Sequence, residues 1–317
     1  MKIFKVWSIF SLLAVATVAL VAHSYEITSD GKKMVALEVV SHSGDTTQYP
    51  DHYVAYTRVP MPDPVPRDGY AFGGWFDNPE FTGHPVQEIY RGIYEDDDEV
   101  FTYYAKWWPL PKREGDCYKI TSAGEMFGFA AIVNGAVGVQ KDSAACAELA
   151  ADIEFGEELW VPIRDFAGSI DGKGFVLSGI KIEKDTDTSA AVFIESINGG
   201  SIEHPVSIKN VGWVNSSIRF ANQIGLIYKI KPGSHVELDH VFNTMNMGSY
   251  SGAFKIGAFQ SSIVGYVEEG AYLSVTNSYN AGNLCYVRAS GSYEERTGKS
   301  GSFSIWQHPR GLSRISS

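Results

Sequence analysis

Positive charge is scarce in this sequence of 317 residues, which carries 26 Lys and Arg against 37 Asp and Glu, a formal net charge of −11. A nucleic-acid-binding protein needs a basic face, because neutralising phosphates supplies most of its affinity. The charge balance therefore argues against a nucleic-acid partner. With 44% hydrophobic and 13% aromatic residues the chain is also too apolar to be disordered, and its length favours two domains.

Cysteine is nearly absent as well, with three residues, none of them spaced as CxxC or CxxxC. No histidine cluster accompanies them, so we expect no zinc site, no other metal and no cofactor. Cys117 and Cys146 flank a predicted helix, and we predict a disulfide between them, with Cys285 buried and free. The HExxH and GxSxG motifs are also missing, so no catalytic residue is assigned.

Long apolar runs are missing after the first two dozen residues. Residues 1–24 carry two lysines, then a nearly unbroken apolar stretch from Val6 to Val21, then Ala22-His-Ser24 with small residues at both positions that signal peptidase reads. We therefore predict a signal peptide and a secreted or cell-surface protein, which after cleavage is not an integral membrane protein. The apolar stretch is shorter than the roughly 20 residues that span a bilayer, but a retained N-terminal anchor is the alternative.

Abundant Gly, Tyr, Phe, Val and Ile favour strands and turns over helices. Residues 34–108 form the first predicted module. It opens with the strand-like run Met34–Val40 and closes with the alternating run Val100–Trp107, and the proline-rich Pro60–Pro66 between them cannot be helical.

The motif Arg67-Asp-Gly-Tyr-Ala-Phe-Gly-Gly-Trp-Phe76 and the terminal Tyr104-Ala-Lys-Trp107 resemble a Listeria–Bacteroides repeat, the internalin B-repeat type of module. The resemblance implies a small β-grasp-like unit of bacterial surface proteins. Within that motif, Trp75 and Trp107 are expected to pack in the core rather than to stack on a sugar.

Residues 109–116 are predicted to be a proline-stiffened linker. Ser122 and Glu125 then form a capping box, and apolar residues follow with helical spacing until Asn134-Gly135. This pattern predicts an amphipathic helix whose apolar face covers a neighbouring structure.

Three later segments resemble one another: Ile208–Ile218, Leu238–Met247 and Val275–Leu284. Units of this length cannot bury a face alone and therefore stack. For residues 117–287 the pattern predicts a right-handed parallel β-helix, with Ile, Val and Leu pointing inward and the capped helix closing one end. The whole chain is thus expected to be mainly β.

This second module has its own resemblance. Cys117–Gly135, Trp160-Val-Pro-Ile163 and Phe166–Ile180 are similar to a domain of Fibrobacter-type exported proteins, and the later segments resemble GLUG-type repeats. The resemblance implies an exported bacterial protein. Residues 288–317 lose the pattern and turn basic; they are either a flexible tail or a coil broken off by truncation.

Candidate ligand contacts are few. Asp239 and His240, beside Lys209-Asn210 of the preceding repeat, form the best constellation, and Trp108 and Trp213 are candidates for exposed contacts. The Asp171–Gly174 segment is predicted to be a tight turn rather than a phosphate loop, and the acidic run Glu95–Glu99 a solvated loop.

These patterns predict a non-catalytic binding or adhesion scaffold, exported by a bacterium. Its expected partner is a cell-surface polysaccharide, or a host or neighbouring protein. The alternative is a carbohydrate-active parallel β-helix enzyme, a polysaccharide lyase or hydrolase. Acidic and basic side chains that converge from adjacent coils into a groove would favour the enzyme.

Overall fold

The computed structural model describes residues 4–7, 24–27, 34–41, 49, 51–90, 100–183, 190–219, 223–250, 263–281, 284–287, 293–296 and 306–307. The fold is mainly β, as predicted, with one helix in the described part of the chain. Two compact units divide the chain: residues 1–67 with 72–107, and residues 68–71 with 108–317. Within the described ranges no helix has the length and apolar character to cross a membrane. The Glu95–Glu99 run lies outside the described residues.

The strands up to the end of the first unit are β1 (Phe4–Trp7), β2 (Ser24–Ile27), β3 (Met34–Val40), β4 (His52–Val54), β5 (Val59–Pro60), β6 (Tyr70–Phe76), β7 (Glu88–Ile89) and β8 (Phe101–Pro109). Four of them form a sheet in the order β4-β3-β8-β6, in which β3 runs parallel to β8 and antiparallel to β4. The pairs β1–β2 and β5–β7 are antiparallel.

Tryptophan side chains hold the core of the first unit. The Trp75 Nε1–H donates to the Pro62 carbonyl at 2.8 Å, and the Trp107 Nε1–H donates to the Ser41 carbonyl at 2.7 Å. The Phe72 ring meets both indoles edge-on, at centroid distances of 5.5 and 5.3 Å. The core position predicted for the two tryptophans is confirmed, since both are buried.

The elements that begin in the second unit are β9 (Lys112–Glu114), β10 (Cys117–Ile120), α1 (Ala123–Asn134), β11 (Cys146–Leu149), β12 (Ile153–Glu154), β13 (Ser169–Asp171), β14 (Val176–Ser178), β15 (Lys181–Glu183), β16 (Ala190–Ile197), β17 (Val206–Val214), β18 (Ser217–Arg219), β19 (Gln223–Ile230), β20 (His235–Asn243), β21 (Asn246–Tyr250), β22 (Val264–Val267), β23 (Tyr272–Thr276), β24 (Tyr279–Asn280), β25 (Leu284–Val287), β26 (Tyr293–Arg296) and β27 (Trp306–Gln307).

Three sheets of mostly parallel strands are visited in turn by the chain. The first, called the long sheet here, pairs β10, β11, β13, β17, β20 and β23 successively in parallel. The second pairs β15, β18, β21 and β25, and the third pairs β16, β19 and β22. In the long sheet Ile208 lies opposite Leu238, which lies opposite Val275, so the three similar segments are neighbours.

An apolar row runs along the inner face of the long sheet. It consists of one side chain from each strand after β10, in direct register: Ala147, Ile170, Ile208, Leu238 and Val275. All are buried. Burial of each of the larger ones contributes about 1.5–3 kcal/mol, and the row therefore ties successive strands together.

Helix α1 begins and ends where the sequence predicts. The Ser122 side chain accepts from the Glu125 N–H at 3.3 Å, and Glu125 Oε2 accepts from the Thr121 N–H at 2.8 Å. Gly135 ends the helix in the left-handed region, with φ of 74°. The predicted amphipathic character is wrong, however, because every residue from Met126 to Val133 is buried.

The last residue of β8, Pro109, and the nearby Pro111 lie against α1 on the side of its glycines. A Cβ at Gly128 would lie 2.2 Å from the Pro109 carbonyl oxygen, so the chain crosses the helix at this glycine. Residues 109–116, which the sequence predicts to be a linker, also pack and pair with their neighbours. Pro109 and Pro111 lie against the glycines of α1, and Lys112–Glu114 form β9, which pairs antiparallel with β10.

Near the C-terminus, β26 pairs antiparallel with β25, and β27 pairs with β22. The remainder of the predicted tail, 288–317, lies outside the described residues, and so does the side chain of Cys285.

Candidate functional site

The predicted disulfide is confirmed. Cys117 of β10 and Cys146 of β11 are bonded, with Cα atoms 4.5 Å apart, and lie directly opposite each other on the two parallel strands. The bond therefore fixes the register of the first two strands of the long sheet.

A row of polar side chains runs across the outer face of the long sheet, two residues after the cysteines. We call it the outer ladder, and its members lie in successive register: Lys119, Glu148, Asp171, Lys209, Asp239 and Thr276. Strand alternation places these residues on the face opposite the buried inner row. Five of its six members carry a charged side chain.

Ion pairs connect the first half of the outer ladder. Lys119 pairs with Glu148, and the Lys173 ammonium lies 2.9 Å from Glu148 Oε1 and 3.1 Å from Asp171 Oδ2. Lys209 Nζ lies 3.7 Å from the same Asp171 oxygen. Two carboxylates and three ammonium groups thus meet on neighbouring strands.

The predicted turn at Asp171–Gly174 is confirmed and brings Lys173 into this cluster. Lys173 and Gly174 have φ of 52° and 90°, and the Lys173 N–H donates to Asp171 Oδ1 at 2.9 Å. The turn folds the Lys173 side chain back toward Asp171 of the strand before it. Strand alternation in the sequence does not predict this contact, because Lys173 lies in a turn and not in a strand.

The pairing moves the pKa values of these groups away from neutrality. Hydrogen bonds from Lys119 and Lys173 lower the pKa of Glu148. Partial burial acts to raise the pKa of Asp171, but hydrogen bonds from the Lys173 N–H and Asn210 outweigh it, so the pKa of Asp171 is lowered. The pKa of Lys173 is raised by its bonds to Glu148 and Asp171.

Asp239 and His240 do lie together, as the sequence suggests, with 2.9 Å between Asp239 Oδ2 and His240 Nδ1. Asp239 Oδ1 also accepts from Thr276 Oγ1–H at 2.6 Å and from Asn277 Nδ2–H at 2.9 Å. Bonds from Thr276, then Asn277, then His240 hold the pKa of Asp239 far below its usual range. Lys209 lies directly opposite Asp239 on the neighbouring strand, as the sequence suggests, although its ammonium group faces Asp171, 3.7 Å from Oδ2.

The exposure expected of the two candidate tryptophans is wrong. Trp108 is 7% exposed and stacks on Phe127 at 4.0 Å, whereas Trp213 is 2% exposed and meets the Phe193 ring at 5.3 Å. Neither indole offers a face to a ligand, because both lie in the aromatic core of the second unit.

Two tyrosines on the last strands of the long sheet are exposed instead. Tyr272 of β23 is 54% exposed, and its ring is nearly parallel to that of His235 at 4.4 Å. Tyr279 of β24 is 51% exposed and nearly parallel to Phe242 at 5.5 Å. We call this pair of backed rings the terminal platform.

Sequence reasoning missed Lys119 and Glu148 of the outer ladder, and also Lys173, which the turn after β13 brings to it. A signal for the first two was present. If Cys117 and Cys146 are bonded across parallel strands, the residues two positions later must also face each other. The predicted disulfide therefore already implies the contact between Lys119 and Glu148.

Comparison with known proteins adds no assignment: no protein-family model, curated protein or solved structure matches this chain. Among the described side chains there is no group of three or more His, Cys, Asp or Glu that could hold a metal ion.

The arrangement offers hydrogen-bonding and stacking groups on an ordered surface. Its carboxylates Glu148 and Asp171 carry full charge at neutral pH, because their pKa values are lowered. Lys173 stays protonated, because its pKa is raised. Such a surface is suited to recognising the hydroxyl and amide groups of an extended ligand, while a general acid or base needs a pKa near the working pH.

Proposed function

We propose that this chain is a non-catalytic binding or adhesion scaffold, exported to the bacterial surface or the extracellular space. In this proposal residues 117–287 form a right-handed parallel β-helix of GLUG-like repeats, and residues 34–108 form a β-grasp-like module of the Listeria–Bacteroides type. The observation that carries the proposal is the outer ladder, because it gives one face of the long sheet an ordered row of polar groups.

The disulfide supports export. Disulfides persist in oxidising compartments and are rare in the cytosol. The Cys117–Cys146 bond therefore fits a chain whose residues 1–24 direct it out of the cell.

One observation favours the alternative of a carbohydrate-active enzyme. Glu148, Asp171 and Lys173 converge within hydrogen-bonding distance, from neighbouring strands and the turn that follows. A lyase needs a base that can lose its proton near neutral pH, and a hydrolase needs a carboxylic acid that can keep one. The pKa directions of all three groups oppose these roles, so the cluster supports a structural or ligand-contacting role better than acid–base chemistry.

The two functions are separated by one experiment. The secreted chain is incubated with bacterial cells, with insoluble polysaccharides and with soluble polysaccharides of several classes. We expect retention on at least one surface and no new reducing ends or unsaturated products. Product formation that is lost in Lys173→Met and Asp171→Asn would establish the enzyme instead, and absence of retention on every surface would contradict the scaffold.

A further inference from the structure

We infer that the terminal platform is a binding site for an uncharged polysaccharide, with Tyr272 and Tyr279 stacking on sugar rings. The inference rests on the proposed scaffold function and names the ligand class and place of binding. It is carried by the orientation of the rings, the polar groups beside them and the sign of the nearby charge.

Tyr272 and Tyr279 occupy exposed positions of their strands rather than core positions. In β23 the side chains of Leu273 and Val275 are buried, so Tyr272 points to the outer face together with Ser274 and Thr276. Half of each tyrosine side chain is exposed although the ring has a partner. A stacked ring with its other side accessible is the geometry that a flat ligand requires.

The partner rings hold each tyrosine ring in a parallel stack with a residue of the adjacent strand. His235 and Tyr272 lie 13° from parallel, and Phe242 and Tyr279 lie 10° from parallel. Both nitrogens of the His235 ring are buried and without a hydrogen-bond partner among the described residues. Since buried polar atoms without partners destabilise a fold, the stack is maintained against a local cost.

Polar groups continue from Tyr272 along the same strand. Ser274 and Thr276 follow at alternate positions, and Glu237 of the neighbouring strand lies opposite Ser274. Four residues of strand cover about 13 Å, the length of a short oligosaccharide. The electron-rich face of an aromatic ring attracts the positively polarised C–H groups of a pyranose, and the flanking hydroxyl and carboxylate groups bond its hydroxyls.

Charge decides which polysaccharide fits. The charged side chains on β20 and in the turn before β23 include Glu237, Asp239, Glu268 and Glu269, and Asp239 is held ionised. This end of the long sheet repels uronic acids and sulfated sugars. An uncharged polymer meets the stacking faces without that penalty.

The edge of β23 is an alternative binding feature that the observations favour less. Among the described strands β23 pairs with β20 alone, so an extended peptide is able to add to the sheet there. A peptide that binds the edge uses backbone groups, however, and leaves the exposed ring faces unexplained. A second copy of this chain is also able to pair with this edge, and the experiment below includes such a dimer among its outcomes.

The test is affinity electrophoresis of the secreted chain through gels that contain a soluble neutral glucan, a soluble neutral mannan or polygalacturonate. We expect at least one neutral polymer to retard the protein and polygalacturonate not to. Tyr272→Ala is expected to weaken the retardation about tenfold, which corresponds to about 1.4 kcal/mol of lost stacking, and Tyr272→Trp to preserve it. Tyr279→Ala is expected to weaken it in the same direction.

The matched control is Tyr90→Ala, which removes a similarly exposed tyrosine in the first unit and is expected to leave retardation unchanged. Circular dichroism and thermal melting check that each variant is folded. Binding of a neutral polymer that both tyrosine variants preserve would overturn the platform and leave the scaffold function standing. Preferred binding of polygalacturonate, capture of peptides, or a dimer that Tyr272→Ala dissociates would also overturn it. Failure to bind any cell or polymer would contradict the scaffold function itself.

Discussion

The two ends of the long sheet meet their surroundings differently. At β10 the sheet is followed by a helix buried from Met126 to Val133, and a disulfide joins the first two strands. At β23 and β24 the side chains of Tyr272 and Tyr279 are half exposed, and each ring stacks on a ring of the adjacent strand. The difference indicates that the two ends serve different purposes. The first end stabilises the fold, whereas the last end leaves aromatic side chains accessible to a ligand.

The largest expected effect is a loss of stability caused by a substitution at the first end of the long sheet. Phe129 of α1 is 0% exposed and meets the rings of Tyr118 and Phe166. Phe129→Ala should lower the free energy of unfolding by about 3–5 kcal/mol, because it removes a large buried side chain and leaves a cavity. Tyr272→Ala at the last end should change it by less than about 1 kcal/mol. Chemical denaturation of both variants measures the difference, and equal losses would contradict the division between the ends.

The second prediction concerns the disulfide. Replacing Cys117 and Cys146 by Ser should lower the free energy of unfolding by about 3–4 kcal/mol, because the bond closes a loop of 29 residues in the unfolded chain. Cys285→Ser is the matched control, since it removes a thiol and leaves the bond intact. A double variant as stable as the control would show that the first end does not depend on the bond.

Local signals in the sequence predicted the helix well. A capping box and a glycine C-cap act through hydrogen bonds within a few residues, so Ser122, Glu125 and Gly135 are readable without the fold. The burial of the helix on all sides was not readable, because it depends on how residues 109–111 cross Gly128. Local chemistry was predictable, and contact with a distant segment was not.

The failure at Trp213 has a specific cause. Val206 and Ile208 face inward in β17, so simple alternation would turn residue 213 outward. Asn210 adopts a φ of 53°, and after this bend Val211 and Trp213 are the buried residues. Asparagine is enriched in the left-handed region, so the residue type was a signal for a bend that changes the alternation.

The third prediction tests the packing beneath the terminal platform. A Cβ at Gly212 would lie 2.0 Å from the Phe242 ring, which Tyr279 covers from the other side. Gly212→Ala should lower the free energy of unfolding by about 1–3 kcal/mol, because the ring must move. Combining it with Phe242→Leu should recover part of that loss in a double-mutant cycle. Additive losses would mean that the glycine is not required by the ring.

The smallest expected effect concerns two carboxylates of the outer ladder, Asp171 on β13 and Asp239 on β20. The pKa values of Asp171 and Asp239 are lowered in the folded chain, so each contributes stability above the unfolded value near 3.9, and the contribution is lost as the pH falls through the folded pKa. Asp171→Asn and Asp239→Asn should therefore each flatten the loss of stability below about pH 4, measured as urea midpoints between pH 7 and pH 2.

Salt separates the two carboxylates further. Both carboxylates accept hydrogen bonds from neutral donors, the Lys173 N–H and Asn210 at Asp171, and Thr276 and Asn277 at Asp239, but Asp171 also faces the ammonium groups of Lys173 and Lys209. Because salt screens charge pairs more than neutral hydrogen bonds, 1 M NaCl, where the Debye length is about 3 Å, should shrink the effect of Asp171→Asn and leave that of Asp239→Asn nearly unchanged. An equal response to salt would mean that the ammonium groups beside Asp171 add nothing to what its neutral donors supply.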